Sequence, residues 1–270
     1  MTIDYVQLSP TENITVLVKT PVPRDRQAAV AARLLQADCV GGEQAGFIEA
    51  PSDPRAAARL QMMGGEFCGN ATMALGAILA RRDGAETADY LIEVSGSPAP
   101  VPCHIERNGD GWIGTVDMPL AERIGEIELT TDGGPLTMPI VDMPGISHLI
   151  VPVAAGLTEE ELRRRLPEWN RTIGADALGA LVWDEPARAI DPLVYVPSAG
   201  TLVREHGCGS GTAAVGCRMA AKAGKSVVIP IRQPGGTITA RAEVTGGAIT
   251  ALSITGRVTV VGEGHIILDG

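Results

Sequence analysis

Apolar positions along the chain change period several times, and each change marks an element. Ile14-Thr15-Val16-Leu17-Val18 is a β-branched run that predicts a strand. Val30, Leu34 and Leu35 then recur at helical spacing behind Pro23, which predicts a helix over 25–37. Phe47-Ile48 opens a strand after the loop Gly41-Gly42-Glu43-Gln44-Ala45-Gly46. Residues 57–63 have no clear period and stay open between helix and strand. Short apolar runs predict strands at 91–94, 101–106 and 112–117, with Asn108-Gly109 as a hairpin turn. The same style returns at 127–129, 136–141, 148–153, 180–183 and 193–196. Thr158, with Glu161 three residues on, opens a helix reaching about Leu166. Strands at 227–231, 237–244, 249–255 and 257–261 follow, and Gly235-Gly236 turns between two of them.

Two Ala-rich helical patterns stand out because they repeat. Phe67-Cys68-Gly69-Asn70-Ala71-Thr72 and Gly207-Cys208-Gly209-Ser210-Gly211-Thr212 place Cys, Gly and Thr at matching offsets, and Gly76 and Gly216 continue the match. Gly64-Gly65 breaks the chain before the first helix, which runs from about Cys68 to Arg82; the second spans about Cys208 to Ala223 and stops at Gly224. A thiol at a helix start lies beside unpaired N–H groups and the positive end of the dipole. That setting is expected to lower its pKa from about 8.5 toward roughly 3.5–7.5, and the N–H groups suit a carboxylate. Two thiols on opposite faces of an amino acid could exchange its α-proton and invert the centre. Cys39, Cys103 and Cys217, outside the repeat, read as small apolar packing residues.

Composition narrows the class. The chain has 270 residues, 45% of them hydrophobic and only 3% aromatic, so its cores are aliphatic. Gly 33 and Pro 19 imply many tight turns. A net charge of −10 without a basic run argues against nucleic acid as a partner. No apolar run approaches the ~18 residues of a membrane span, and Met1-Thr2-Ile3-Asp4 does not read as a signal peptide. These features point to a cytoplasmic protein with no membrane partner. Five cysteines without CxxC or HxxxH spacing predict neither a disulfide framework nor a zinc site. The duplication favours two domains, and 119–124 is the candidate boundary.

The paired Cys-Gly motifs resemble those of the diaminopimelate epimerase superfamily. Within it the chain is most similar to the histidine racemases of opine-metallophore biosynthesis. The matching stretches are Pro10…Asn13-Ile14-Thr15-Val16-Leu17, Glu43-Gln44-Ala45-Gly46-Phe47-Ile48-Glu49, Gly65-Glu66-Phe67-Cys68-Gly69-Asn70-Ala71-Thr72-Met73, Pro192-Leu193-Val194-Tyr195-Val196-Pro197 and Gln233-Pro234-Gly235-Gly236. The resemblance implies an α/β (α+β) fold with two pseudo-symmetric domains, each a β-barrel-like sheet around a central helix. Their expected bounds are 1–118 and 119–262, with 263–270 returning to the first domain.

It further implies a cofactor-independent racemase, a homodimer, with a small amino acid as substrate. Cys68 and Cys208 match the two bases, and Gly69, Asn70, Gly209 and Ser210 the carboxylate loops. Asn13 reads alone as a turn residue, and Glu43 and Gln44 as solvated loop; the resemblance makes all three pocket residues. His148 and Glu205 fall where the superfamily keeps a His and a Glu near the thiols. The distal-carboxylate clamp of diaminopimelate epimerase is replaced by Gly145-Ile146-Ser147-His148 and Ala199-Gly200-Thr201-Leu202-Val203-Arg204. That change disfavours diaminopimelate, and Glu43 could pair with imidazole instead. Three alternatives remain: a racemase of another amino acid, a same-fold isomerase that does not racemise, and a cysteine hydrolase pairing Cys208 with His206 or His148.

Overall fold

Parallel strands cannot be joined by a tight turn, and that rule decides where the helices fall. In the computed structural model, which describes residues 1–198 and 200–268, the chain forms two units. Unit 1 is Met1–Asp117 with the residues from Thr255 onward, and unit 2 is Met118–Ile254.

Unit 1 runs β1 (Thr2–Pro10), β2 (Thr15–Val18), α1 (Arg24–Leu34), β3 (Gln44–Glu49), β4 (Ala58–Met62), α2 (Gly69–Asp83), β5 (Thr87–Val94), β6 (Val101–Asn108) and β7 (Gly111–Asp117). Its parallel pairs are β2–β3 and β4–β5, and α1 and α2 are their crossovers. The order β1-β2-β3-β4-β5-β6-β7 continues to the last strand of the chain, which pairs back onto β1 from Thr2↔Ile267 to Pro10↔Val258 and closes the ring. Helix α2 is buried over most of its surface and packs on β1, β2, β4, β5, β6 and β7. Small residues permit this. A Cβ at Gly76 would lie 2.8 Å from Cys103 Sγ and 2.8 Å from Ile105. Helix α1 packs on β3 and buries Val30, Ala31 and Leu34 with Val16, Val18 and Phe47.

Unit 2 repeats this plan with β8 (Arg123–Thr131), β9 (Gly134–Met143), β10 (Ile146–Pro152), a 3-10 turn (Val153–Ala155), α3 (Glu159–Ile173), β11 (Leu178–Asp184), β12 (Ala189–Val196), β13 (Thr201–Arg204), α4 (Gly209–Ala223), β14 (Val227–Gln233) and β15 (Gly236–Thr245). Its strand order is β8-β9-β10-β11-β12-β14-β15, with β13 on β12. The parallel pairs β10–β11 and β12–β14 take α3 and α4 as crossovers. Helix α4 packs on β8, β9, β10, β14 and β15, and a Cβ at Gly216 would lie 2.7 Å from the Ala240 Cβ. Leu162, Leu166 and Trp169 of α3 join Ile140, Leu149, Leu178 and Leu193 in one core. Strand β16 (Ala248–Ile267) completes the chain.

The fold is the mixed α/β type expected, with a helix enclosed by sheet in each unit. Several elements differ in detail. Residues 57–63, left open, contain β4. Helix α1 stops at Leu34 rather than Ala37, because Val40 and Gly41 N–H groups turn back onto the Leu34 carbonyl at 3.2 and 3.0 Å. Helix α3 passes through Pro167 instead of ending at Leu166, since Trp169 and Asn170 beyond it are buried. The two strands expected at 249–255 and 257–261 are one, as Gly256 continues the extended chain. Strands β1 and β13 were not anticipated. Residues 269 and 270 of the expected returning tail lie outside the described residues. No described helix is long and apolar enough to cross a membrane.

Candidate active site

Each repeated cysteine occupies the residue before its helix, in extended conformation, and caps it with sulfur. Cys68 Sγ accepts the Ala71 N–H at 3.4 Å, and Cys208 Sγ accepts the Gly211 N–H at 3.3 Å. In both copies the repeated threonine bonds back to the cysteine carbonyl at 2.7 Å, Thr72 to Cys68 and Thr212 to Cys208. Gly69 and Asn70 open α2, and Gly209 and Ser210 open α4. The first N–H groups of such helices suit an anion.

In unit 1, four expected residues form one chain of hydrogen bonds. Cys68 Sγ donates to Gln44 Oε1 at 3.1 Å. Gln44 Nε2 donates to Asn13 Oδ1 at 2.5 Å and to Thr15 Oγ1 at 2.8 Å. Asn13 Nδ2 donates to Glu43 Oε2 at 3.0 Å. The carboxamides thus run head to tail from a thiol to a carboxylate. Asn13 is buried at the end of a turn whose central residues, Thr11 (φ 52) and Glu12 (φ 59), are both left-handed. A β-branched residue in that region is strained.

In unit 2 the partners differ. His148, fully buried on β10, has Nε2 3.0 Å from Ser210 Oγ, which lies 3.6 Å from Cys208 Sγ. Gln233 accepts the Cys208 N–H at 2.6 Å and donates to Thr212 Oγ1 at 2.7 Å. Glu205 follows β13, and its N–H donates to the Pro192 carbonyl at 3.0 Å. The expected lowering of thiol pKa is reversed at Cys208: burial pushes it well above the ordinary value, the Glu205 carboxylate adds to this, and Ser210 and the Gly211 N–H only partly oppose it. A buried thiol beside a carboxylate is a proton donor at neutral pH. Burial alone pushes His148 down to about 3, so its imidazole is neutral.

The structure therefore brings Asn13, Glu43, Gln44 and Cys68 together in unit 1, and His148, Ser210, Cys208 and Glu205 in unit 2. Sequence reasoning gave no role to Gln233, Thr15 or Ser95. Ser95 Oγ accepts the Met62 N–H at 2.9 Å and donates to the Glu66 carbonyl at 2.7 Å, fixing the loop ahead of Cys68. Gly96 beside it has φ +73, and a Cβ there would lie 2.4 Å from Phe67 N. The signal available in the sequence was Gly96 itself, a glycine just past a strand pattern, which marks a turn or a close backbone approach. Ala199, in the segment set against the distal clamp, lies outside the described residues. Cys103 and Cys217 are buried as packing residues, whereas Cys39 is partly exposed. Among the described residues no group of three or more His, Cys, Asp and Glu is placed to hold a metal ion.

Comparison with known proteins adds to this geometry. The family described as histidine racemase CntK N-terminal domain matches residues 2–267. A histidine racemase of Staphylococcus aureus is 29% identical over 275 residues, covering 99% of this chain and 98% of that protein. A hydroxyproline epimerase structure from Agrobacterium vitis, with bound trans-4-OH-L-proline, superimposes with a TM-score of 0.75 at 15% identity, covering 100% of this chain and 93% of the other. A phenazine biosynthesis protein of the PhzF family from Enterococcus faecalis follows at TM-score 0.61 and 13% identity, covering 99% and 100%. At these identities the two structures speak for the fold alone.

Proposed function

The chain belongs to the family of the histidine racemase CntK N-terminal domain, and from that premise we propose that it interconverts L- and D-histidine by proton transfer at Cα, with the thiols of Cys68 and Cys208 as the two acid–base groups. Membership makes it an isomerase of the racemase class. The observation that carries the mechanism is the cysteine sulfur capping a buried helix twice, once in each unit.

The step balances without a redox partner. One sulfur, as thiolate, takes the α-proton; the other, as thiol, returns a proton to the opposite face. The enzyme ends with thiol and thiolate exchanged. The carbanion spreads charge into the carboxylate, and N–H groups at Gly69, Asn70, Gly209 and Ser210 are suited to hold it. Burial and Glu205 keep Cys208 protonated, so it enters as the donor. Asn13 and Glu43 form the polar patch proposed to receive an imidazole N–H. From the resemblance we carry over a cytoplasmic homodimer serving metallophore biosynthesis.

The test is incubation with L-histidine in D₂O, read by mass spectrometry for α-deuterium and by chiral chromatography for D-histidine. Both should appear. Cys68→Ala and Cys208→Ala should each reduce racemisation by at least about 100-fold, the scale of a positioned acid–base group. Full activity in either variant overturns the two-thiol mechanism. Deuterium and D product with another amino acid replaces the substrate.

A further inference from the structure

The Ser210 hydroxyl faces Cys208 Sγ yet has no part in the proposed reaction, and its direction depends on a histidine that burial keeps neutral. His148 stands on β10 directly opposite Gly179 on β11 in the parallel pairing. The contact is tight: a Cβ at Gly179 would lie 2.3 Å from His148 Nδ1. That nitrogen is buried and has no hydrogen-bond partner among the described residues. A neutral imidazole carries one N–H and one lone pair. An orphaned N–H costs more than an orphaned acceptor, and a glycine Cα–H can face a lone pair but not another hydrogen. The lone pair therefore belongs on Nδ1 and the hydrogen on Nε2. Nε2 then donates to Ser210 Oγ across 3.0 Å. With its acceptor side occupied from His148, the Ser210 hydroxyl has its own hydrogen left for Cys208 Sγ at 3.6 Å.

We propose that His148 and Gly179 are positioning residues that lock the Ser210 hydroxyl as a donor to the Cys208 sulfur, so that the thiolate formed when Cys208 delivers its proton is held by Ser210 as well as by the Gly211 N–H. The proton passes from sulfur to the substrate carbanion; Ser210 keeps its own hydrogen and His148 stays neutral. The inference rests on Cys208 being one of the two acid–base groups. It also separates the two thiols. Cys68 Sγ faces the carboxamide oxygen of Gln44, whereas Cys208 Sγ faces the Ser210 hydroxyl and the Glu205 carboxylate. The groups facing Cys208 are the Glu205 carboxylate from the end of β13, Ser210 and the Gly211 N–H from α4, Gln233 from β14, which holds its N–H, and His148 from β10 through Ser210.

The test does not need the racemase reaction. The full chain is treated with iodoacetamide across a pH series, and the carboxamidomethylated Cys208 peptide is quantified by mass spectrometry. The thiolate forms an S–C bond and expels iodide, so the rate reports the thiolate fraction. Ser210→Ala should move the midpoint of the rate profile upward by about one pH unit or more, which is roughly a tenfold lower rate below the midpoint. Ser210→Thr, which keeps the hydroxyl, should restore the native profile. Gly179→Ala, which drives a methyl into His148, should behave like Ser210→Ala. An unchanged profile in folded Ser210→Ala overturns the proposal, and so does a Ser210→Thr profile that matches it. If Gly179→Ala does not fold, the two Ser210 variants decide. A chain that shows these shifts yet puts no deuterium on histidine would leave the Ser210 hydrogen bond to Cys208 standing and remove histidine as the substrate.

Discussion

His148 is held uncharged by burial, and that links the chain's stability to pH. Its folded pKa, about 3, lies below the ordinary value of 6.5. The unfolded chain therefore binds a proton at acidic pH that the folded chain refuses. The contribution is fully present above 6.5 and is lost as pH falls toward 3. Denaturant titrations should show the stability of the native chain falling faster than that of His148→Gln between pH 6 and pH 4, by about 1.4 kcal/mol per pH unit. Parallel curves would mean that the imidazole is hydrated. Several residues at this scale were legible in the chain. The repeated Cys-Gly and Thr were found from the repeat, and Thr72 and Thr212 prove to bond to the two cysteine carbonyls. The role of Gly179 was not legible, because nothing in a strand reading says which side chain of the neighbouring strand will lie over it.

At the scale of elements, α3 carries an internal conflict. Pro167 has no N–H, so the Arg163 carbonyl one turn earlier loses its helical donor. The helix nonetheless continues, because Trp169 donates to the Thr130 carbonyl at 3.0 Å and Asn170 to the Ala175 carbonyl at 2.9 Å. Pro167→Ala should therefore stabilise the chain by roughly 1–3 kcal/mol in urea titration and leave racemisation unchanged, since α3 carries none of the proposed site residues. A loss of stability would show that the proline's bend is needed for packing. The helix end placed at Leu166 was a propensity argument overridden by tertiary burial. The limits of α2 and α4 were readable because each has local punctuation at both ends, a capping sulfur and a left-handed Gly84 or Gly224. The turn ahead of Asn13 was readable as a turn but not as a strained one, since left-handed Thr11 and Glu12 run against preference.

At the scale of the whole molecule, the ring of unit 1 depends on its last strand. Residues 263–267 pair with the start of β1, and Glu263 also bonds Arg81 at 2.9 Å and lies 3.7 Å from Lys19. Removing residues 263–270 should leave Thr2–Val6 without that partner, lower the melting temperature by several degrees and promote aggregation through the bared edge of β1. Calorimetry and light scattering would check this, and an unchanged melting temperature would show that the ring does not depend on its closing strand. Alternation within single strands was legible, but this pairing joins residues more than 250 positions apart, and no local pattern carries such a partner. The same pairing has a consequence for biosynthesis. Unit 2 is one uninterrupted stretch, Met118–Ile254, whereas unit 1 takes its first and last pieces from opposite ends of the chain. At about 5–20 residues per second, the ribosome delivers β1 well before its partner exists. The unit begun first is thus the one that must be finished last. Until residues 258–267 have emerged, nascent β1 keeps a bare edge rather than a place in a closed ring.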